Sequence, residues 1–208
     1  MVTRLEIVQH MLFTVGEQIV VTVNSQHPSI IQAAGILDST YADFSGRSWW
    51  FNTEYNMELA MDDTGKVTIP ANAKSVEIVG AGASPIANRA QYAVRGGKIY
   101  DTINHTFILN TALMANVTIA LNVEDLPHVA GTYLKHKAAE TMYISDDGDS
   151  IKMDKLAIKV SEAWHLLKAE ELRLSNVNAL NSPSAAQLRY RIGQNSGGTN
   201  PRMPGGRY

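Results

Sequence analysis

Between Trp49 and Val123 the apolar residues recur at every second position, whereas on both sides of that block they recur every three or four, and this double change of period restricts the fold most. A chain patterned this way can be neither a pure helical bundle nor a pure sandwich. Val76 and Ile78 alternate with polar neighbours, as do Val117, Ile119 and Leu121, the pattern of half-buried antiparallel strands. Tyr92-Ala93-Val94-Arg95, then Gly96-Gly97, then Lys98-Ile99-Tyr100 has the form of a hairpin, because two glycines supply the positive φ of a tight primed turn. Asp62-Asp63-Thr64-Gly65 marks another turn, before residues 66–69.

Helical signals flank the block. Thr3 to Val15 carries Leu5, Val8, Leu12 and Val15 at spacings of three and four, with Thr3 as N-cap and Gly16 as the stop. Ile19 to Val23 reads as a short extended piece. A second helix opens at Ser25 or His27 before Pro28, whose missing N–H costs nothing in the first turn, and runs through Ile30, Ile31, Ala34, Leu37, Tyr41 and Phe44 to Gly46. After the block, Glu124-Asp125-Leu126-Pro127 starts a third helix with a stripe of Ala130, Tyr133, Leu134, Ala138 and Met142, broken by Asp146-Asp147-Gly148-Asp149. A long fourth helix follows, with Met153, Leu156, Ala157, Val160, Ala163, Trp164 and Leu167 in helical register. The expected class is α+β: a discontinuous four-helix bundle over 1–48 and 124–181, an inserted small antiparallel β domain over 49–123, and an extended, flexible basic C-terminal tail over 182–208.

The formal net charge of -2 hides a division. Up to Glu171 there are 13 basic and 20 acidic residues, a net -7, and from Leu172 onward there are 5 basic and no acidic residues, a net +5. Segregation of this kind points to a C-terminal interaction segment. The tail carries three prolines and few core-forming residues, yet Leu188, Arg189, Tyr190, Arg191 and Ile192 alternate apolar and basic in a way that can add to a partner's surface. No stretch reaches the roughly 18 to 20 uninterrupted apolar residues of a membrane span. Met1 to Phe13 is interrupted by Glu6, Gln9 and His10 and does not read as an export signal.

The chemistry is bounded mainly by what is missing. Without cysteine there is no disulfide, thiolate zinc site, iron–sulfur cluster or cysteine nucleophile. Val76 to Ala83 contains a G-x-G, but Pro85 stands at the third glycine position and the pattern around it is antiparallel, so a glycine-rich loop is the better reading than a dinucleotide fingerprint. Asp146, Asp147, Asp149 and Asp154 lack EF-hand order and read as helix-capping charges. The six histidines show no H-E-x-x-H spacing, and His128 and His136 stand two turns apart. Neither a nucleophile elbow nor a phosphate-binding loop is present. The expectation is a protein with no catalytic site, no cofactor and no metal. Trp49-Trp50-Phe51 beside Arg47 admits two readings, a stacking platform or core packing at the bundle-to-sheet junction, and the single nearby cation favours the core.

Several of these blocks, in this order, resemble the tail tubular protein A family, adaptor or gatekeeper proteins of short-tailed bacteriophages. They are Met11-Leu12 with Val15-Gly16-Glu17, Gly46-Arg47-Ser48-Trp49-Trp50-Phe51-Asn52-Thr53-Glu54, Arg95-Gly96-Gly97-Lys98-Ile99-Tyr100-Asp101, and Asp125-Leu126-Pro127 leading to Tyr133 and Lys137-Ala138-Ala139. The resemblance covers residues 8 to 180, with Gln18-Ile19 standing where many members have prolines. It implies a virion protein, assembled in the host cytoplasm, of which about twelve copies form a ring joining the portal protein to the tail nozzle, a tubular protein B-like partner, and to tail fibres. DNA would pass through the lumen without specific binding, and no membrane is involved. A portal interface is expected at Leu188, Arg189, Tyr190, Arg191, Ile192, Arg202, Arg207 and Tyr208. The competing expectations are a tail protein that binds or hydrolyses polysaccharide through Trp49, Trp50 and the Asp62-Asp63 turn, and a regulator that binds DNA through the basic tail.

Overall fold

The computed structural model describes residues 1–18, 27–82, 84, 85, 91–146 and 149–174. The extended piece expected at Ile19 to Val23 and the tail residues Leu188 to Ile192, Arg202, Arg207 and Tyr208 lie outside them. Helix α1 (Arg4–Val15) is capped as its sequence requires: the Thr3 hydroxyl accepts from the Glu6 amide at 3.2 Å, and Gly16 turns left-handed at φ 88°. Its buried face contains Val8 and Leu12 of the expected stripe but is rotated to take in Ile7 and Met11 as well, leaving Leu5 and Val15 half-buried. Helix α2 (Pro28–Ser45) begins at the proline and buries Ile30, Ala33, Leu37 and Phe44, leaving Ile31 exposed.

The β block begins after a turn at residues 46–52. Strands β1 (Thr53–Leu59), β2 (Ala73–Ala81), β3 (Ser84–Pro85) and β6 (Leu113–Ile119) form one antiparallel sheet in the order β1-β6-β2-β3. Strands β4 (Tyr92–Arg95) and β5 (Lys98–Asp101) form the hairpin read from the sequence, with Gly96 at φ 56° and Gly97 at φ 73°. It is a separate two-stranded sheet, tied to the rest of the block by a bridge between Thr68 and Lys98. Leu59, Val67, Ile78, Ile99, Leu113, Ala115 and Val117 make the buried cluster beneath both sheets.

A 3-10 turn at Val123–Asp125 leads from β6 to α3 (His128–Ser145), which buries Ala130, Leu134, Ala138, Ala139 and Met142. Helices α1, α2 and α3 pack on one another, and their apolar faces make a second cluster that also takes in Trp49, Val123, Leu126 and Leu167. Helix α4 (Ser150–Leu174) departs from expectation. Only Leu156, Ala163 and Leu167 are buried, Met153, Val160 and Trp164 are half-buried, and Ala157 is exposed. The helix meets the cluster along a narrow seam, so a strong period in sequence has produced a peripheral helix. Among the described residues the class is α+β, four helices and two small antiparallel sheets, and no helix is long and apolar enough to cross a membrane.

Candidate functional site

The run Gly46 to Asn52 has to bring the chain out of α2 and into β1 within a few residues, and it does so by burying its own polar groups. Asn52 is 2% exposed. Its amide nitrogen donates to the carbonyls of Ser45 at 3.0 Å and Arg47 at 3.2 Å, and its side-chain oxygen accepts from the Trp49 amide at 2.8 Å. The Asn52 carbonyl in turn accepts from Ile119 at 2.8 Å, so one asparagine joins the end of α2, the turn and the sheet. Trp49, also 2% exposed, donates its indole N–H to the Phe44 carbonyl at 2.9 Å. Its ring lies 5.2 Å from Phe44, 5.6 Å from Trp164 and 6.2 Å from Phe51, centroid to centroid. The core reading of the aromatic run therefore holds, and the burial of Trp49 removes it as a surface for sugars or bases.

Beside this corner, a cavity of about 260 Å³ opens between α2, α3 and α4, lined among others by Asp43, Phe44, Arg47, Tyr133, Lys137 and Trp164. That is below the roughly 300–1,000 Å³ of sites for drug-sized ligands. The Arg47 guanidinium stands 5.7 Å from the Trp164 ring and Lys168 Nζ stands 5.2 Å from it, so the cations here are spent partly on ring faces. The Asp62-Asp63 turn also has a structural occupation. Asp62 accepts from the Thr64 hydroxyl at 2.7 Å and from the amides of Thr64 and Lys66, and these bonds, the hydroxyl's first, lower its pKa. A carboxyl held ionised in this way is the opposite of a general acid, which needs a raised pKa. Asp101 is alike: bonds from Asn104, from Gln91 and from the Ile103 amide hold it down to about 2 while it shapes the turn after β5.

The histidine spacing in the sequence singled out His128 and His136, but the fold places His136 against His10. Their rings, one on α3 and one on α1, meet edge to face at 5.4 Å, and His10 Nε2 and His136 Nδ1 are buried without a hydrogen-bond partner among the described residues. Burial first, then His136, Lys135 and Lys159, push His10 down to about 4 against the pull of Glu6. His136 is lowered by burial and the same two lysines, with Glu162 opposing. Both rings are therefore neutral at pH 7. In the unfolded chain they take up protons near 6.5, so between that value and about 4 the unfolded state binds more protons and stability must fall as the pH falls. The thermal midpoint is expected to be level above pH 7 and to drop between pH 6.5 and 4. A His10→Leu, His136→Leu variant should flatten that limb while leaving the steeper loss at lower pH, where Asp101 protonates. An unchanged limb in the variant would show that other groups cause it.

Among the described residues no group of three metal-ligating side chains converges. The Gly46 to Asn52 corner offers a rigid, fully bonded junction between the helices and the sheet. A family model described as tail tubular protein matches residues 5–174. The chain belongs to the tail tubular protein family. It is similar to the tail tubular protein A of Klebsiella phage KP34, with 22% identity over 178 residues that cover 86% of this chain and 91% of the relative. This family member is accordingly a structural protein of a phage tail. The matched region includes both the Gly46 to Asn52 corner and the Arg95 to Asp101 hairpin.

One group of side chains was not gathered by sequence reading. Lys66, Arg95 and Lys98, with Gly96 and Phe107, line a second cavity of about 290 Å³ at the tip of the hairpin. Arg95 and Lys98 are read easily as hairpin residues. Lys66 joins them only because Thr68 bridges to Lys98, a pairing with no local signal.

Proposed function

We propose that this tail protein is the adaptor ring of the tail: about twelve copies surround a channel, one face of the ring meets the portal protein, the other receives the nozzle and the tail fibres, and DNA leaves through the lumen. Assembly would take place in the host cytoplasm. The observation that carries the reading is the division of charge at Glu171 in a chain of this family, a body of net -7 followed by a segment of net +5. A body with more acids than bases gives DNA few cations to hold on to, and each phosphate contact avoided removes a salt-sensitive attraction. A segment with basic residues and no acidic ones offers charge complementary to an acidic surface on an adjoining ring. The Gly46 to Asn52 corner supports the same reading, since a ring subunit has to present identical surfaces many times and a fully bonded junction holds the helices and the sheet in one relation.

The segment 182–208 is assigned to the portal, through Leu188, Arg189, Tyr190, Arg191 and Ile192 and with Arg202, Arg207 and Tyr208 beyond them. A chain ending at Asn181 should lose at least tenfold in affinity for purified portal, and Arg189→Glu with Arg191→Glu should lose most of that by itself. Undiminished binding of the shortened chain would contradict the assignment.

A further inference from the structure

The cavity at the hairpin tip is a socket for carboxylates. Lys66, Arg95 and Lys98 surround it, and among the described residues none of the three has an ion-pair partner. Asp62 is the near acid: its Oδ1 accepts the bonds of the turn it closes, and Lys98 acts on it only from beyond ion-pair contact. The Arg95 guanidinium lies 4.0 Å from the Tyr100 ring centroid and Tyr100 packs edge-on against Phe107 at 4.8 Å, which fixes the cation in place. Val94, next to Arg95, and Ile108, against Gly65, are large aliphatic side chains left in solvent near the same tip. Three unpaired cations rimmed by exposed aliphatics describe a protein-binding surface better than a nucleic-acid one, since phosphate recognition has no use for the aliphatic rim.

The same chain carries the matching surface at its other end. Asp146 at the end of α3 and Asp149 and Asp154 at the start of α4 are exposed, have no ion-pair partner among the described residues, and stand close in sequence to the exposed Ile144 and Ile151. Lys152, in the first turn of α4, is committed to the Thr14 carbonyl and the Tyr143 ring, and Lys155 beside Asp154 makes no ion pair with it. The path of the chain separates the two surfaces. Strand β6 runs its 7 residues, about 23 Å, from the hairpin end at Leu113 to Ile119 beside Asn52, and α3 then runs 18 residues, about 27 Å, away from the sheet. A basic socket at one extremity cannot be filled by an acidic turn at the other extremity of the same copy. It can be filled by that turn on a second copy.

We infer that the Lys66, Arg95 and Lys98 socket of one copy receives the Asp146, Asp149 and Asp154 turn of the next, making a head-to-tail contact of the kind that closes into a ring. This rests on the ring reading above and supplies its contact. Like charges forced together across such a contact oppose association, so reversal of either side is informative. The test uses the full chain in two variants, Arg95→Glu with Lys98→Glu, and Asp146→Lys with Asp149→Lys, each checked for the wild-type thermal midpoint. Alone, each should self-associate at least tenfold more weakly by sedimentation. Mixed in equal amounts, they should recover wild-type association, because alternation puts every reversed socket against a reversed turn. Because the chain has no cysteine, Lys98→Cys with Asp149→Cys provides a second measurement that does not depend on charge, and mild oxidation should yield a ladder of covalent multimers. Assembly that persists in both variants, a mixture that fails to recover, or oxidation that yields monomer from an assembled sample would overturn this contact and leave the ring standing. A wild-type chain that stays monomeric at every concentration, with portal present as well as absent, would overturn the ring itself.

Discussion

Trp49→Ala should lower the free energy of unfolding by about 3–5 kcal/mol, a large share of the roughly 5–15 kcal/mol that holds a natural domain together. The indole is buried among Phe44, Phe51, Tyr133 and Trp164, on the seam where α2, α3, α4 and the start of the sheet meet, so the void cannot be closed by one neighbour moving. Trp49→Phe separates the two contributions. It keeps much of the ring packing but removes the indole donor from the Phe44 carbonyl, which retains the longer 3.4 Å bond from the Arg47 amide, so the loss should be about 0.5–1.5 kcal/mol. Urea unfolding followed by circular dichroism measures both. A loss below 1 kcal/mol for Trp49→Ala would mean that the corner does not hold the two clusters together.

The next largest effect is expected at Asn52, a residue too small to matter by area. Asn52→Ala removes the donor to Ser45 and Arg47 and the acceptor for Trp49, at a position water barely reaches. The Trp49 amide and the Arg47 carbonyl keep their own 3.0 Å bond, so the loss falls chiefly on the Ser45 carbonyl; a buried group left unpaired costs about 1–3 kcal/mol, and that is the destabilisation expected. Asn52→Asp is the sharper experiment. It preserves the acceptor for the Trp49 amide and replaces the donating nitrogen by an oxygen facing two carbonyls, so it should be no better than alanine at neutral pH. If Asn52→Asp proved as stable as wild type, the hydrogen-bond orientation described for this corner would be wrong.

The parts legible in the sequence are those set by local chemistry. Thr3 and Gly16 bound α1, Pro28 opens α2, Gly96-Gly97 turns the hairpin and Pro127 precedes α3, and each acts through the backbone of its own few residues. Burial was less legible where tertiary packing decides it. In α1 the core took Ile7 and Met11 together with Val8 and Leu12 of the expected stripe, so the buried face is rotated from the one centred between Leu5 and Val15 once α2 and α3 pack on the helix. In α4 the period was strong, yet the buried side narrowed to three residues because α1, α2 and α3 already satisfy one another. The candidate surfaces followed the same division. The GRSWWFN corner could be weighed from composition alone. The His10–His136 contact and the entry of Lys66 into the hairpin socket depend on pairings far apart in sequence, which periodicity does not carry.

The most direct measurement of the central claim is the mass and shape of the assembled protein, by native mass spectrometry and imaging of single particles with purified portal present and absent. The account predicts a closed ring of about a dozen copies around an open lumen, formed either by the chain alone or on addition of portal. A protein that stays monomeric or dimeric in both conditions would contradict it.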